Sequence, residues 1–255
     1  MDLKGKQVLV AGLGKSGVAA GALLKKKGCE VCLFDGNETF DADTLREKYP
    51  VFSDCPLWIG NLPDGALLQI ELVVVSPGIP LDSPVMQKIY HAGIPVWGEA
   101  ELAFCLSKGR VAAITGTNGK TTTTTLVGEI LKQCYPEVFV VGNIGIPYTS
   151  IAEQTTEQTV TVAEISSFQL ETIETFHPSV SAILNITPDH LDRHHTMEAY
   201  IRAKESIVKC QTKGDTCVLN YEDEILRAFA QTLDVKVLFF SSKRPLKEGI
   251  YQTAI

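Results

Sequence analysis

Short apolar runs alternate with amphipathic stretches almost from the first residue, a pattern of strands joined through helices. Residues 7–11 (Gln-Val-Leu-Val-Ala) read as a strand, 16–27 as a helix ended by Gly28, and 30–34 as a second strand. Residues 72–75 (Leu-Val-Val-Val) form a buried-type strand, 83–91 a helix ended near Gly93, and 95–97 a short closing strand. A helix over 99–106 and the polar Ser107-Lys108-Gly109-Arg110 lead into a strand that starts at Val111. Further on, 121–132 reads as a helix and 138–141, 159–163, 180–184 and 236–240 as strands. The expected fold class is α/β: an N-terminal Rossmann-like parallel sheet over residues 1–97, then a second α/β unit of P-loop type over 98–255. The boundary is placed within residues 93–110.

The strand at Val111 runs into Thr115-Gly116-Thr117-Asn118-Gly119-Lys120-Thr121, which says how phosphate is handled. Gly116 and Gly119 let backbone N–H groups close around phosphate oxygens, Lys120 supplies a point charge, and the Thr121 hydroxyl suits Mg2+. Thr117, Asn118 and Thr122 complete the candidate ATP set. The full P-loop pattern wants a Gly where this chain has Ile114, so the loop is a variant. An ordinary strand-to-helix turn could also contain Gly-Lys-Thr. The Thr run at 121–125 is a poor helix former but opens the helix after the loop.

The first unit has its own phosphate signature. Gly12-Leu13-Gly14-Lys15-Ser16-Gly17 follows a strand and opens a helix, and Asp35 ends the next strand. That is the dinucleotide fingerprint in context, which alone favours an NAD-dependent oxidoreductase. Yet the turn needs only a pyrophosphate and a ribose, and a UDP-sugar offers both. A second turn, Ser76-Pro77-Gly78, would meet the same crevice or be a simple turn.

In the second unit, Glu164 ends the strand at 159–163, Asn143 follows the strand at 138–141, and Asn185 opens the polar loop carrying Asp189 and His190. In a parallel sheet these ends share one edge with the phosphate loop, where an acid would hold Mg2+. Glu164 could instead be a helix-N-terminal acid, and His190 a cap or a satisfied loop histidine. His194 and His195 read as solvated neighbours. Lys204 reads on periodicity as a surface helix lysine.

Composition narrows the classes. At 255 residues and 45% hydrophobic the chain has room for two cores. A net charge of −7, scattered, argues against nucleic-acid or polybasic membrane partners. No apolar run is long enough to span a bilayer, and the N-terminus has no signal-peptide pattern. Seven cysteines, an odd number, suit reduced thiols and a cytoplasmic setting. Cys29 and Cys32 lie on one strand three apart, hence on opposite faces, and read as core thiols.

Taken together, the motifs resemble the Mur ligases. The Thr115–Thr121 loop, Gly142-Asn143-Ile144-Gly145, Glu164-Ile165-Ser166-Ser167-Phe168-Gln169-Leu170-Glu171 and Asn185-Ile186-Thr187-Pro188-Asp189-His190-Leu191-Asp192-Arg193 occur in that family's order. The Ser-Ser-Phe-Gln-Leu-Glu run resembles its D-glutamate-adding branch. The resemblance extends to about Asn220 and implies an ATP-dependent ligase of peptidoglycan precursor synthesis, with UDP-N-acetylmuramoyl-L-alanine, D-glutamate and ATP as substrates. It further implies two Mg2+ ions held by Thr121, Glu164, His190 and a Lys204 carbamylated by CO2. Lys120, His190 and Lys204 would be the catalytic set. Gly14, Lys15, Ser16, Gly17, Asp35, Gly36, Ser76, Pro77 and Gly78 would hold UDP, with Asn143 and Ser166 contacting the muramoyl part or the metal region.

The family's C-terminal amino-acid-binding domain has no counterpart here, and the central domain is incomplete. The chain is therefore expected to be a monomeric fragment with negligible steady-state amide formation. The rival readings are an NAD-dependent oxidoreductase and a non-catalytic nucleotide-binding fragment.

Overall fold

The structure, a computed structural model, describes residues 3–143 and 145–252; Ile144 of the quoted Gly-Asn-Ile-Gly motif lies outside the described residues. The chain divides into two compact units, Met1–Leu106 and Ser107–Ile255.

The first unit runs β1 (Gln7–Ala11), α1 (Lys15–Lys26), β2 (Glu30–Asp35), α2 (Ala42–Lys48), β3 (Leu57–Ile59), β4 (Leu72–Val75), α3 (Pro84–His91), β5 (Val96–Gly98) and α4 (Glu99–Leu106). Its five strands are all parallel, in the order β3-β2-β1-β4-β5. This is a Rossmann-like sheet, and its strand order reverses at β1 and β4. Successive side chains of β1 enter different cores. Val8 and Val10 pack with Leu24, Leu33 and Phe52, whereas Leu9 and Ala11 pack with Phe34, Met86 and Ile89. Both faces are covered, which is why the strand is apolar from Val8 to Ala11 rather than alternating. Cys29 and Cys32 fall into different cores, and burial raises both thiol pKa values.

The division between units falls after α4, at Leu106. Leu102 of α4 is fully buried in the same core as Val8 and Trp97, so the helix stays with the first sheet. β3 had no clear sequence signal: it is three half-buried residues long.

The second unit runs β6 (Arg110–Thr115), α5 (Lys120–Leu131), β7 (Val138–Gly142), β8 (Val160–Glu164), α6 (Ser167–Leu170), β9 (Val180–Ile183), α7 (Leu191–His194), α8 (Met197–Glu205), β10 (Thr216–Asn220), α9 (Glu224–Ala230), β11 (Lys236–Ser241) and β12 (Ile250–Tyr251). Its seven strands are also parallel, ordered β12-β11-β10-β9-β6-β8-β7. β6 lies between β8 and β9, with Ile114 opposite Glu164 and Thr115 opposite Ile183. The residues following β8 and β9 are thereby delivered to the two sides of the loop that leaves β6. The Thr run is helical within α5, where Thr124 is completely buried and tertiary packing overrides propensity. Among the described residues no helix is long and apolar enough to cross a membrane.

Candidate functional site

In the first unit, β1 gives way to a turn that begins α1 at Lys15, with Gly14 as its N-cap. The three fingerprint glycines have different physical reasons. Gly12 has φ 86°, and a Cβ there would come within 2.8 Å of the Ser76 Cβ. A Cβ on Gly17 would collide with the Gly12 carbonyl, whereas one on Gly14 would meet nothing within 4 Å. Gly12 and Gly17 are thus demanded by the fold, and Gly14 leaves open backbone for a ligand to approach. Gly17→Ala should therefore destabilise the unit by about 3 kcal/mol or more. Gly14→Ala should leave the denaturation midpoint unchanged and weaken phosphate-ligand binding. Urea titration of the two variants beside wild type checks the contrast.

Asp35 closes β2 and binds the turn directly: Oδ2 accepts from the Leu13 N–H (2.8 Å) and Oδ1 from the Asn37 N–H (2.9 Å). The Ser76 N–H donates to the Ala11 carbonyl (2.8 Å), which sets Ser76-Pro77-Gly78 beside Gly12. Lys15, Gly36 and Gly78 are exposed, while Ser16, Ser76 and Pro77 are half-buried. All of them sit at the C-terminal edge of the sheet. A cavity of about 230 Å³ opens there beside Gly36, among Phe34, Asn61, Leu62, Val85 and Lys88. A larger one, about 800 Å³, lies at the other edge of the sheet among Gln7, Cys29, Cys32, Cys55, Trp58 and Gln69, away from both glycine turns.

In the second unit the loop spans residues 116–119, because β6 continues through Ile114 and Thr115. Gly116 and Gly119 have φ 149° and 81°. Thr121 is exposed at the first turn of α5, and its hydroxyl donates to Glu164 Oε2 (3.0 Å). Asn143 Nδ2 donates to Glu164 Oε1 (3.0 Å). Glu164 is only 1% exposed and has no ion-pair partner among the described residues. A buried carboxylate facing a hydroxyl, with no cation beside it, is a hard-oxygen pair suited to Mg2+.

Two lysines meet on one carbonyl. Lys120 Nζ curls back to donate to the Gly116 oxygen (3.0 Å) and the Thr117 oxygen (2.9 Å). Lys204 Nζ donates to the same Gly116 oxygen (2.8 Å) and lies 4.7 Å from the centre of the Tyr200 ring. Lys204, expected on periodicity to be a surface lysine, is 1% exposed. Burial, and secondarily the charge of Lys120, lower its pKa from 10.5 to about 7, with Asp189 opposing.

His190 is placed differently. It adopts φ 51°, leaves its side chain half exposed 3.6 Å from Asp189, and sets its ring 5.0 Å from that of Phe168. No contact from it to Thr121, Glu164 or Lys204 is found among the described residues, nor do any three His, Cys, Asp or Glu side chains there converge into a metal-ligand set. Thr121 and Glu164 form the one direct pair of the expected four. Ser166 caps α6: its Oγ accepts from the Gln169 N–H (3.3 Å) and its N–H donates to Gln169 Oε1 (2.9 Å), a capping box.

His194, expected to be solvated, is a buried member of a polar network. Its Nε2 lies 2.9 Å from Ser167 Oγ and its Nδ1 3.3 Å from Glu171 Oε1, with its ring stacked on Phe168. The left-handed residues His190 and His195 flank α7 and turn His194 inward. Desolvation, first among the causes, lowers its pKa below 6.5. No periodicity signal marks such a short helix.

Residues 114–253 match the family model described as the Mur ligase middle domain, and residues 6–98 match that of the Mur ligase MurD-like N-terminal domain. The chain is 54% identical, over 251 residues, to a UDP-N-acetylmuramoylalanine--D-glutamate ligase from Lachnoclostridium phytofermentans, covering 98% of this chain and 55% of that protein. It is 46% identical to the ligase of the same name from Clostridioides difficile, covering 98% and 56%. The chain thus spans little more than half the length of the curated relatives it matches. Among solved structures, it resembles the UDP-N-acetylmuramate:L-alanyl-gamma-D-glutamyl-meso-diaminopimelate ligase of Neisseria meningitides (TM-score 0.61, 16% identity), covering 96% of this chain and 82% of that one. It also resembles the UDP-N-acetylmuramate-alanine ligase of Thermotoga maritima (TM-score 0.52, 20% identity), covering 94% and 53%. At such identities the structural likeness speaks for the fold.

Proposed function

This chain belongs to the Mur ligase family, and from that premise we propose that it carries the ATP site and the UDP-substrate site of a ligase joining D-glutamate to UDP-N-acetylmuramoyl-L-alanine. The observation that carries the reading is Glu164, a buried carboxylate accepting from the Thr121 hydroxyl beside a Gly-Lys-Thr loop. That arrangement handles a metal-bound nucleotide. An oxidoreductase has no use for it.

The chemistry follows from the substrates. A carboxylate resists attack by an amine because the leaving group would be oxide. Transfer of the ATP γ-phosphoryl group to a carboxylate oxygen gives an acyl phosphate. The D-glutamate amine then forms the C–N bond, the C–O bond to phosphate breaks, and the amine proton is lost. Bound Mg2+ would neutralise charge on the transferring group. The protein's part is positioning and electrostatics: Lys120 swings from its loop carbonyls to the phosphates, while Thr121 and Glu164 offer oxygens to the ion. Lys204 is read as a carbamylation site. CO2 adds to its neutral Nζ with release of one proton, turning a cation into a carboxylate-like group, and its burial beside Gly116 favours the neutral amine. His190, on the turn that opens α7, is the proposed ligand of a second ion.

In the first unit, Gly14, Lys15, Ser16, Gly17, Asp35, Gly36 and Ser76-Pro77-Gly78 are proposed to hold uridine and its diphosphate. Asp35→Ala should weaken UDP binding by about 1–3 kcal/mol, since this carboxylate organises the turn and is proposed to accept from ribose hydroxyls. Calorimetry with UDP checks this; unchanged affinity in a folded variant would move the ribose elsewhere. The reaction assignment is tested by mixing the chain with γ-labelled ATP and UDP-N-acetylmuramoyl-L-alanine for a single turnover. Label trapped as acyl phosphate identifies a phosphoryl-transfer centre; both ligands bound without transfer would identify a nucleotide-binding module.

A further inference from the structure

The loop after β6 is one glycine short of a full P-loop, because Ile114 takes that place and is paired within the sheet. Another residue holds the loop in shape. The Asn185 backbone carbonyl accepts from the Thr117 N–H (2.9 Å), its Oδ1 accepts from the Asn118 N–H (2.8 Å), and its Nδ2 donates to the Asn118 carbonyl (3.0 Å). The Thr117 hydroxyl accepts from the Thr187 N–H (3.0 Å) and lies 3.0 Å from the Tyr200 hydroxyl. The loop is thus laid flat on residues 184–187, so closely that a Cβ on Gly116 would sit 3.1 Å from the Leu184 Cβ.

This latch changes which amides can meet an anion. Phosphate loops commonly aim successive N–H groups at the ligand. Here those of Thr117 and Asn118 are committed to Asn185. The first intrahelical bond of α5 runs from the Thr123 N–H to the Gly119 carbonyl (3.0 Å). The N–H groups of Lys120, Thr121 and Thr122 precede it and open at the helix end beside Glu164. We infer that Asn185 is the positioning residue of the phosphate site: it divides the loop into a held half, residues 117–118, and an anion-receiving half, residues 119–122, and so sets the affinity for nucleotide phosphates. The inference rests on reading this loop as the ATP site.

The test is calorimetric titration of the 255-residue chain with Mg·ADP, and separately with UDP, for wild type, Asn185→Ala and Asn185→Asp. Asn185→Ala leaves the Asn118 N–H and carbonyl without their partners. It should weaken ADP by about tenfold, speed exchange of the Asn118 amide, and leave UDP affinity as in wild type. Asn185→Asp keeps side-chain volume and the acceptor for the Asn118 N–H, which guards against a misfolded alanine variant. It loses the donor to the Asn118 carbonyl and adds a charge. Salt screens the charge, so the ADP deficit that persists at high salt reads the missing bond. ADP affinity equal to wild type in both variants would overturn the inference while leaving the nucleotide site standing. Equal losses for ADP and UDP would overturn it too, as general destabilisation. Failure of wild type itself to bind ADP would overturn the nucleotide reading, and this inference with it.

Discussion

Glu164→Gln should remove most of the Mg2+-dependent nucleotide affinity of this chain without unfolding it. The carboxylate is buried, takes hydrogen bonds from Thr121 and Asn143, and has no cation opposite it among the described residues. Glutamine keeps the shape and one acceptor but loses the charge by which the pair is proposed to hold magnesium. The expected loss is about 2–3 kcal/mol in Mg·ADP binding, roughly 30–150-fold. Stability should move the other way or not at all, because an uncompensated buried charge costs free energy and a neutral amide costs less. ADP binding in the presence of a chelator should be unchanged or stronger. Calorimetry with and without Mg2+, joined to a denaturation curve, reads both halves. A variant with wild-type Mg·ADP affinity would take Glu164 out of the metal site.

Lys204 sets the second large effect, on the pH dependence of stability. Its pKa in the folded chain, about 7, lies below the unfolded value of 10.5. Between these values the unfolded chain binds the proton more readily, so this group's contribution makes stability rise with pH across the window. The slope is at most about 1.4 kcal/mol per pH unit. Above the upper value both states are neutral and the penalty vanishes; below the lower it is fully present, up to about 5 kcal/mol. Lys204→Met removes the titration and should be the more stable chain at pH 7, with the difference shrinking toward pH 10. Urea unfolding of both proteins in CO2-free buffer measures it. Parallel stability curves for the two would show that Lys204 is not desolvated as its position implies.

The parts of this architecture visible in the sequence are those in which one physical demand dictates residue type. The stretches 8–11 and 72–75 are apolar at every position because both faces are covered. Gly12 and Gly17 stand out because backbone geometry leaves no room for a Cβ. Glu164 was accessible to reasoning because a parallel sheet gathers strand ends at one edge. Lys204 and His194 were not. Lys204 is buried where α8 meets the Gly116 carbonyl, and His194 where α7 packs against Phe168 and Tyr200, tertiary facts that local polarity contradicts. For Lys204 only the family resemblance pointed beyond the surface. β10 alternates, with Cys217 and Leu219 buried, and it is legible by period two once a partner strand is known. Asn185 was visible only as a polar residue after a strand; its two-sided bond to Asn118 depends on the register of β9 against β6.

Two glycine turns in one chain are proposed to serve two different ligands, a UDP-linked substrate and ATP. Competitive calorimetry tests it most directly, with UDP-N-acetylmuramoyl-L-alanine, Mg·ADP and NADH titrated singly and then in pairs. The UDP compound and Mg·ADP should each bind one site, saturation with either should leave the other's site open, and NADH should displace neither. Displacement of the UDP compound by NADH, or competition between the UDP compound and ADP for a single site, would contradict it.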